Sequence, residues 1–345
     1  MLEALAALNT ALGDKLTVMM GAYDLVLGCR DSIADQVKSP VKIYVSHDYT
    51  EFSKQRAQHI SAITTRDVLC AVDHPYMVFA PYQRRVGLIG VPRPVNKQAE
   101  VLSKIIKCTV CKSLNIATLI DGMKNIGSVA YRANKPVELH GDKLPAVTFT
   151  KYSNRNYPAM GVTTLLSPYI RFGVISLRQA YYLSTNEDFR REIIYRQYFY
   201  QLYESHCERV ETEFYTVKYD DGRHLANYKT DVDDGFMKWC RGETGVAIVD
   251  AGMRELLNTG YMHNRCRMIC ASYLIHTLGY HWTLGEKYFA TQLRDYDHII
   301  NKMNWGWVAG LPIFNRRPPL AFNPALQMKK YDHDAEYCKF WNEFK

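Results

Sequence analysis

The chain has 345 residues, 47% of them hydrophobic and 12% aromatic, which is enough to bury a sizeable core in one large or two moderate domains. The formal charge of +8 suits a polyanionic partner, although many basic proteins bind none. No apolar run is long enough to span a bilayer and no basic stretch precedes the first apolar helix, so membrane insertion and secretion are not indicated and an intracellular setting is expected. Nine scattered cysteines, an odd number, favour reduced thiols over a disulfide framework. Cys108 and Cys111 form one CxxC with no second ligand pair, which reads as two helix-face thiols, and no metal site is expected.

Residues 1 to about 80 alternate helical and strand-like runs as α/β units do. Helices are expected over 2–12, 22–37 and 51–63, and strands over 16–20, 41–47 and 67–73. From YMVFAPYQRR to roughly Ala146 the pattern loosens into a connecting segment on the surface, interrupted by a short amphipathic helix over 101–114. KYSNRNYPAMGVTTLLSPYIRFGVISLRQ then reads as a hydroxyl-rich loop entering a helix. Thr163, Thr164 and Ser167 there are either anion donors or routine caps.

EDFRREIIYRQYFYQLYESH predicts a helix with Ile193, Ile194, Tyr198 and Leu202 inward and a charged opposite side. Two helices follow, meeting at Gly260, which supplies the left-handed conformation a helix end needs. The first buries Ile248, Val249, Met253, Leu256 and Leu257 and leaves Arg254 and Glu255 outside. The second gathers Asn264, Arg267 and Met268 on one face, an amide, a guanidinium and a thioether that a purely structural helix rarely wants. Asp295 and Asp297, then Asn301, then Trp305 and Trp307 complete the pattern.

VDAGMREL, GYMHNRCRM, DYD, Asn301 and WGW, in this order, resemble the flavin-binding core of the photolyase and cryptochrome family. Tyr261 stands where the family has tryptophan, and Lys302, Met303 and Asn304 where it has Asn-Gly-Gly. The resemblance implies a partial N-terminal Rossmann-like antenna domain (1–88), a connecting segment (89–149) and a helical domain (150–345) that binds FAD and DNA. The opening βαβ portion of the antenna domain and the last C-terminal helices of the family have no counterpart, so an antenna chromophore is not expected.

By the same resemblance, the flavin diphosphate would lie against Thr163, Thr164, Leu165, Leu166 and Ser167, with Tyr152 flanking the cofactor and Arg196 over it. Asn264, Arg267, Asp295, Tyr296 and Asp297 would hold the ring and sugar, with the Asn301 amide facing the flavin N5 and an aspartate pairing with Arg267. Glu192 matches the carboxyl that bonds the damaged pyrimidines and Trp307 the ring that packs on them. Tyr195 replaces a tryptophan as a weaker stacking surface. Arg155, Arg265, Asn264 and Gln327 would lie near DNA, and Arg316, Arg317, Lys329 and Lys330 would reach phosphates. Trp305 and Trp282 match the inner two members of an electron-transfer chain whose outer position falls near Lys229 and Tyr228.

Met268, where relatives acting on the (6-4) photoproduct carry a second histidine, points to cyclobutane dimers, and His263 is given no catalytic role. The implied activity is light-driven repair of cyclobutane pyrimidine dimers by a monomeric flavoprotein. A cryptochrome-like light sensor and a flavin-free nucleic-acid-binding remnant are the competing expectations.

Overall fold

The computed structural model describes residues 68–94, 149, 151–212, 224–314 and 321–343, the strands Tyr44–Ser46 and Ile63–Thr65, and the positions Gln55 and Gln58. The expected helices over 2–12, 22–37 and 101–114, the strand over 16–20, the CxxC pair, Arg316 and Arg317 lie outside the described residues. In chain order the elements are β1 (Tyr44–Ser46), β2 (Ile63–Thr65), α1 (Phe79–Ile89), α2 (Ser167–Arg171), α3 (Leu177–Tyr182), α4 (Glu187–Ser205) and α5 (Cys207–Thr212). They continue with α6 (Asp234–Arg241), α7 (Ala247–Thr259), α8 (Asn264–Ser272), α9 (Trp282–Gln292), α10 (His298–Ala309), α11 (Pro324–Tyr331) and α12 (Glu336–Glu343). No described helix is long and apolar enough to cross a membrane.

β1 and β2 pair in parallel, Tyr44 against Ile63. The strand expected over 67–73 falls instead at 63–65, and Leu69 and Cys70 lie in a bend. Side chains rather than a ladder satisfy their backbone. Leu69 N–H donates to Gln197 Oε1, Gln197 Nε2 donates to the Cys70 carbonyl at 2.9 Å, and Arg178 Nε to the Leu69 carbonyl at 3.0 Å.

The stretch expected to loosen after Tyr76 begins with an eleven-residue helix, α1. Pro81 occupies its first turn, where the missing N–H would have had no partner anyway. Tyr82 and Val86 turn inward and Phe79 stacks on Tyr195 of α4, with ring centroids 3.5 Å apart, so α1 shares its core with the helices that follow.

The inward stripe expected on α4 is present: Ile193, Ile194, Tyr198 and Leu202 are buried. Asn186 starts this helix by accepting from Phe189 N–H at 3.1 Å. α7 ends at Gly260 with φ of 66°, and a Cβ there would lie 2.7 Å from Arg294 Cγ, so both backbone and packing require glycine.

The expectation that Arg254 and Glu255 face solvent is corrected. α12 packs along α7, the Arg254 guanidinium donates to the Asn342 carbonyl at 2.9 Å, and Tyr337 O–H donates to Glu255 Oε2 at 2.6 Å. Helical periodicity within α7 identifies its apolar side, but it carries no sign that a helix eighty residues away covers the polar one. Leu257, expected inside, is only half-buried.

Candidate functional site: a cofactor cavity between α4, α8 and α10

A cavity of about 500 Å³ opens among α4, α8, α10 and the loop 163–167, a size typical of small-molecule sites. α4 contributes Glu192, Tyr195, Arg196 and Phe199, which share one face at spacings of three and four. Asn264, Arg265, Arg267 and Met268 of α8 line it, as do Asn301, Trp305 and Trp307 of α10. Tyr152, Arg155, Thr163, Thr164, Leu165, Leu166, Ser167, Asp295, Tyr296 and Asp297 complete the set that the sequence brings together here.

Two predicted residues, neither expected to line the cavity itself, lie outside its lining. Trp282 is fully buried, and Trp239 stands with its ring 6.3 Å from Trp305. Gln327 lies on α11 outside the lining, with a buried Oε1 that accepts no hydrogen bond among the described residues. Lys329 and Lys330 are exposed on the same helix. Sequence reasoning missed Phe199 and Phe289 as lining residues. The first was legible, since it stands four residues beyond Tyr195 and seven beyond Glu192.

The floor is built on ion pairs. Arg267 Nη2 lies 3.0 Å from Asp295 Oδ2, and Ser167 O–H donates to the same oxygen at 2.7 Å. Burial alone would raise the Asp295 carboxyl, but Arg267, Ser167 and Arg196 together hold it below the usual carboxylate range. Asp297, almost fully buried, caps α10 through Ile300 N–H and takes Arg196 Nη2 at 2.5 Å and the Tyr200 hydroxyl. The Asn301 amide nitrogen donates to Glu286 Oε1 at 3.0 Å and to the Glu286 carbonyl at 3.1 Å, which fixes its orientation toward the cavity.

Leu165 takes a left-handed φ of 52°, an uncommon conformation for a side-chain-bearing residue. It turns the backbone between Thr164 and Ser167 at the cavity edge. The donor set therefore runs from hydroxyls at one end, through paired charges, to an oriented amide. Phe289, Leu293, Ile300 and Val308 supply apolar walls. A flat ring system joined to a diphosphate fits this distribution: apolar faces, amide and guanidinium edges, and hydroxyl and N–H donors for the anion.

The family described as "FAD binding domain of DNA photolyase" matches residues 189–343. The chain is similar to the deoxyribodipyrimidine photo-lyase of Alkalihalophilus pseudofirmus, 34% identical over 286 residues that cover 77% of this chain and 56% of that one. Among solved structures it is similar to an archaeal photolyase from Sulfolobus tokodaii, described as holding two FAD molecules, with a TM-score of 0.73, 28% identity and coverage of 99% and 78%. A bacterial class III photolyase from Agrobacterium tumefaciens gives a TM-score of 0.76 at 26% identity, covering 99% and 76%. The chain belongs to the photolyase and cryptochrome family. It spans about half the length of the curated photolyases it matches.

Within this photolyase-family fold, His263 is structural. Its Nδ1 accepts from Arg265 N–H at 3.1 Å, capping α8, and its Nε2 lies 2.8 Å from the Arg155 carbonyl, to which it donates. That pairing requires the neutral imidazole, and burial lowers its pKa to about 4. The unfolded chain takes up this proton near pH 6.5, so the histidine's contribution is intact above that pH and is lost as pH falls toward 4. The expected cost is up to about 3 kcal/mol. His263→Asn keeps a capping side chain, and in urea unfolding between pH 7 and 4 it is expected to flatten this acid limb relative to wild type. Glu255, whose carboxyl burial pushes up, works in the opposite sense and is common to both proteins.

Proposed function

We propose that the chain is a light-driven lyase that binds FAD in this cavity and repairs cyclobutane pyrimidine dimers in DNA, with residues 150–345 holding both. The observation that carries this reading is one cavity joining a hydroxyl and ion-pair cradle to a carboxylate and aromatic rim. The naming of its curated relatives as deoxyribodipyrimidine photo-lyases supports it.

In this reading Thr163, Thr164, Ser167 and the neighbouring backbone amides hold the diphosphate. Arg267 and Asp295 would hold the ring, and Arg196, kept in place by Asp297, would lie against it. Bound reduced FAD supplies, on absorbing light, the electron that opens the cyclobutane ring. Asn301, locked by Glu286, presents an amide to the cofactor. Glu192 and Trp307 receive the dimer, while Phe289, Leu293 and Val308 exclude water from the charge-transfer step.

The same wall supports one lesion type over the other. Met268 offers no proton, and both nitrogens of neutral His263 are committed to backbone groups. Cyclobutane dimers need no proton donor at this position, so they are the assigned lesion. Monomeric action on DNA, without an antenna chromophore, completes the proposal. The light-sensor alternative draws support from one contact, the stacking of Tyr195 on Phe79, which occupies a face otherwise available to a base.

The test is light-driven repair by FAD-loaded protein with a strong reductant, on oligonucleotides bearing either photoproduct. Restoration of the cyclobutane dimer and not the (6-4) product is expected. A loaded, reduced protein that repairs neither favours the sensor.

A further inference from the structure

Asp188 and Glu192 stand one turn apart on α4, and both reach Arg155. Arg155 Nε donates to Glu192 Oε1 at 2.7 Å and its Nη1 to Asp188 Oδ2 at 3.0 Å. Tyr152 O–H donates to the other Glu192 oxygen at 2.5 Å. Each oxygen of this carboxylate is therefore engaged, and its charge is offset by a guanidinium, which weakens it as an acceptor for anything entering the cavity. The cluster is nonetheless at a wet edge. The Asp188 and Glu192 side chains are 49% and 53% exposed, and Arg155 Nη2 makes no hydrogen bond among the described residues.

We propose that Arg155, Asp188 and Glu192 form a latch that the ligand opens by exchange. A phosphate outside the cavity draws Arg155 from the two carboxylates, and the Glu192 oxygen so released accepts the ring N–H of a base inside. The exchange leaves the guanidinium on the phosphate diester, Glu192 on a neutral donor, and Asp188 to be hydrated at the rim, where its side chain is 49% exposed. Only a ligand carrying both an anionic phosphate and a neutral N–H-bearing ring operates it, which describes a nucleotide within a nucleic-acid strand. Asp188, which lines no part of the cavity, is the positioning residue that keeps the latch shut in its absence. The inference rests on the DNA-repair reading of the cavity and adds how its mouth distinguishes a nucleotide from a bare base.

Two probes separate the parts: the cis-syn thymine base dimer, which has no phosphate, and a single-stranded oligonucleotide carrying one such dimer. Both are titrated in the dark into the full chain reconstituted with FAD. For Arg155→Ala the latch predicts effects of opposite sign, about threefold tighter binding of the base dimer and about tenfold weaker binding of the oligonucleotide. Asp188→Asn is expected to tighten both probes, by about threefold more than Glu187→Gln, a charge-matched change at an adjacent exposed position. Shifts of Arg155→Ala in the same direction for both probes, or equal effects of Asp188→Asn and Glu187→Gln, overturn the latch. Equal binding of damaged and undamaged oligonucleotide by wild type overturns the repair reading itself.

Discussion

Gly285→Ala is expected to lower stability by about 3 kcal/mol and to damage the cavity at the same time. Gly285 sits in α9 where the indole of Trp305 crosses it. A Cβ would lie 2.1 Å from Trp305 Cη2 and 2.6 Å from Leu274 Cδ2, both side chains deep in the core. Trp305 is boxed in by Phe289 at 5.0 Å and Trp239 at 6.3 Å, so the ring is driven toward the lumen it lines. Denaturant unfolding followed by circular dichroism measures the first effect, and FAD retention on a desalting column the second. Wild-type stability in this variant would mean that α9 and α10 are not packed as described.

The second large effect is expected from Arg267→Leu. Among the described residues Asp295 then keeps only the Ser167 hydroxyl at close range, in a position where its side chain is 6% exposed. Removing one partner of such a pair leaves an uncompensated charge and costs about 3 to 5 kcal/mol. Arg267 also donates to the Met262 carbonyl at 2.7 Å and stacks over Tyr261 at 5.1 Å, so the turn before α8 loosens as well.

The sign with pH follows from the depressed Asp295 carboxyl. Its stabilisation is complete above the unfolded carboxylate value near 4 and disappears as pH falls through the lower folded value. The penalty of Arg267→Leu is therefore largest at neutral pH and shrinks in acid, where the stranded carboxyl takes a proton. The double variant Arg267→Leu/Asp295→Asn is expected to recover part of the loss at pH 7. A double variant as unstable as the single one would assign the damage to the Met262 and Tyr261 contacts instead.

Much of the site could be read from the sequence because its residues sit on helices. Asn264, Arg267 and Met268 share a face at fixed spacing, as do Glu192, Tyr195 and Arg196, and each trio lines the cavity. A pairing of Arg267 with an aspartate is expected because two charges in a poorly hydrated place need each other, and the structure makes Asp295 that partner. What was not legible depends on partners distant in the chain. Glu255 looks like a solvated residue until Tyr337 covers it, and residues 69–70 look like a strand until Gln197 and Arg178 take their backbone groups. α1 was hidden by a proline that a first turn tolerates. The sharing of Arg155 between Asp188 and Glu192 also joins segments more than thirty residues apart, and no local pattern in either segment announces it.

Uptake of FAD by the purified chain tests the central claim most directly. After incubation with excess FAD and removal of the free cofactor, the protein is expected to hold about one flavin per chain, seen as a blue-region absorbance band and as quenched flavin fluorescence. A chain that folds, by circular dichroism, yet emerges colourless would contradict the assignment of this cavity.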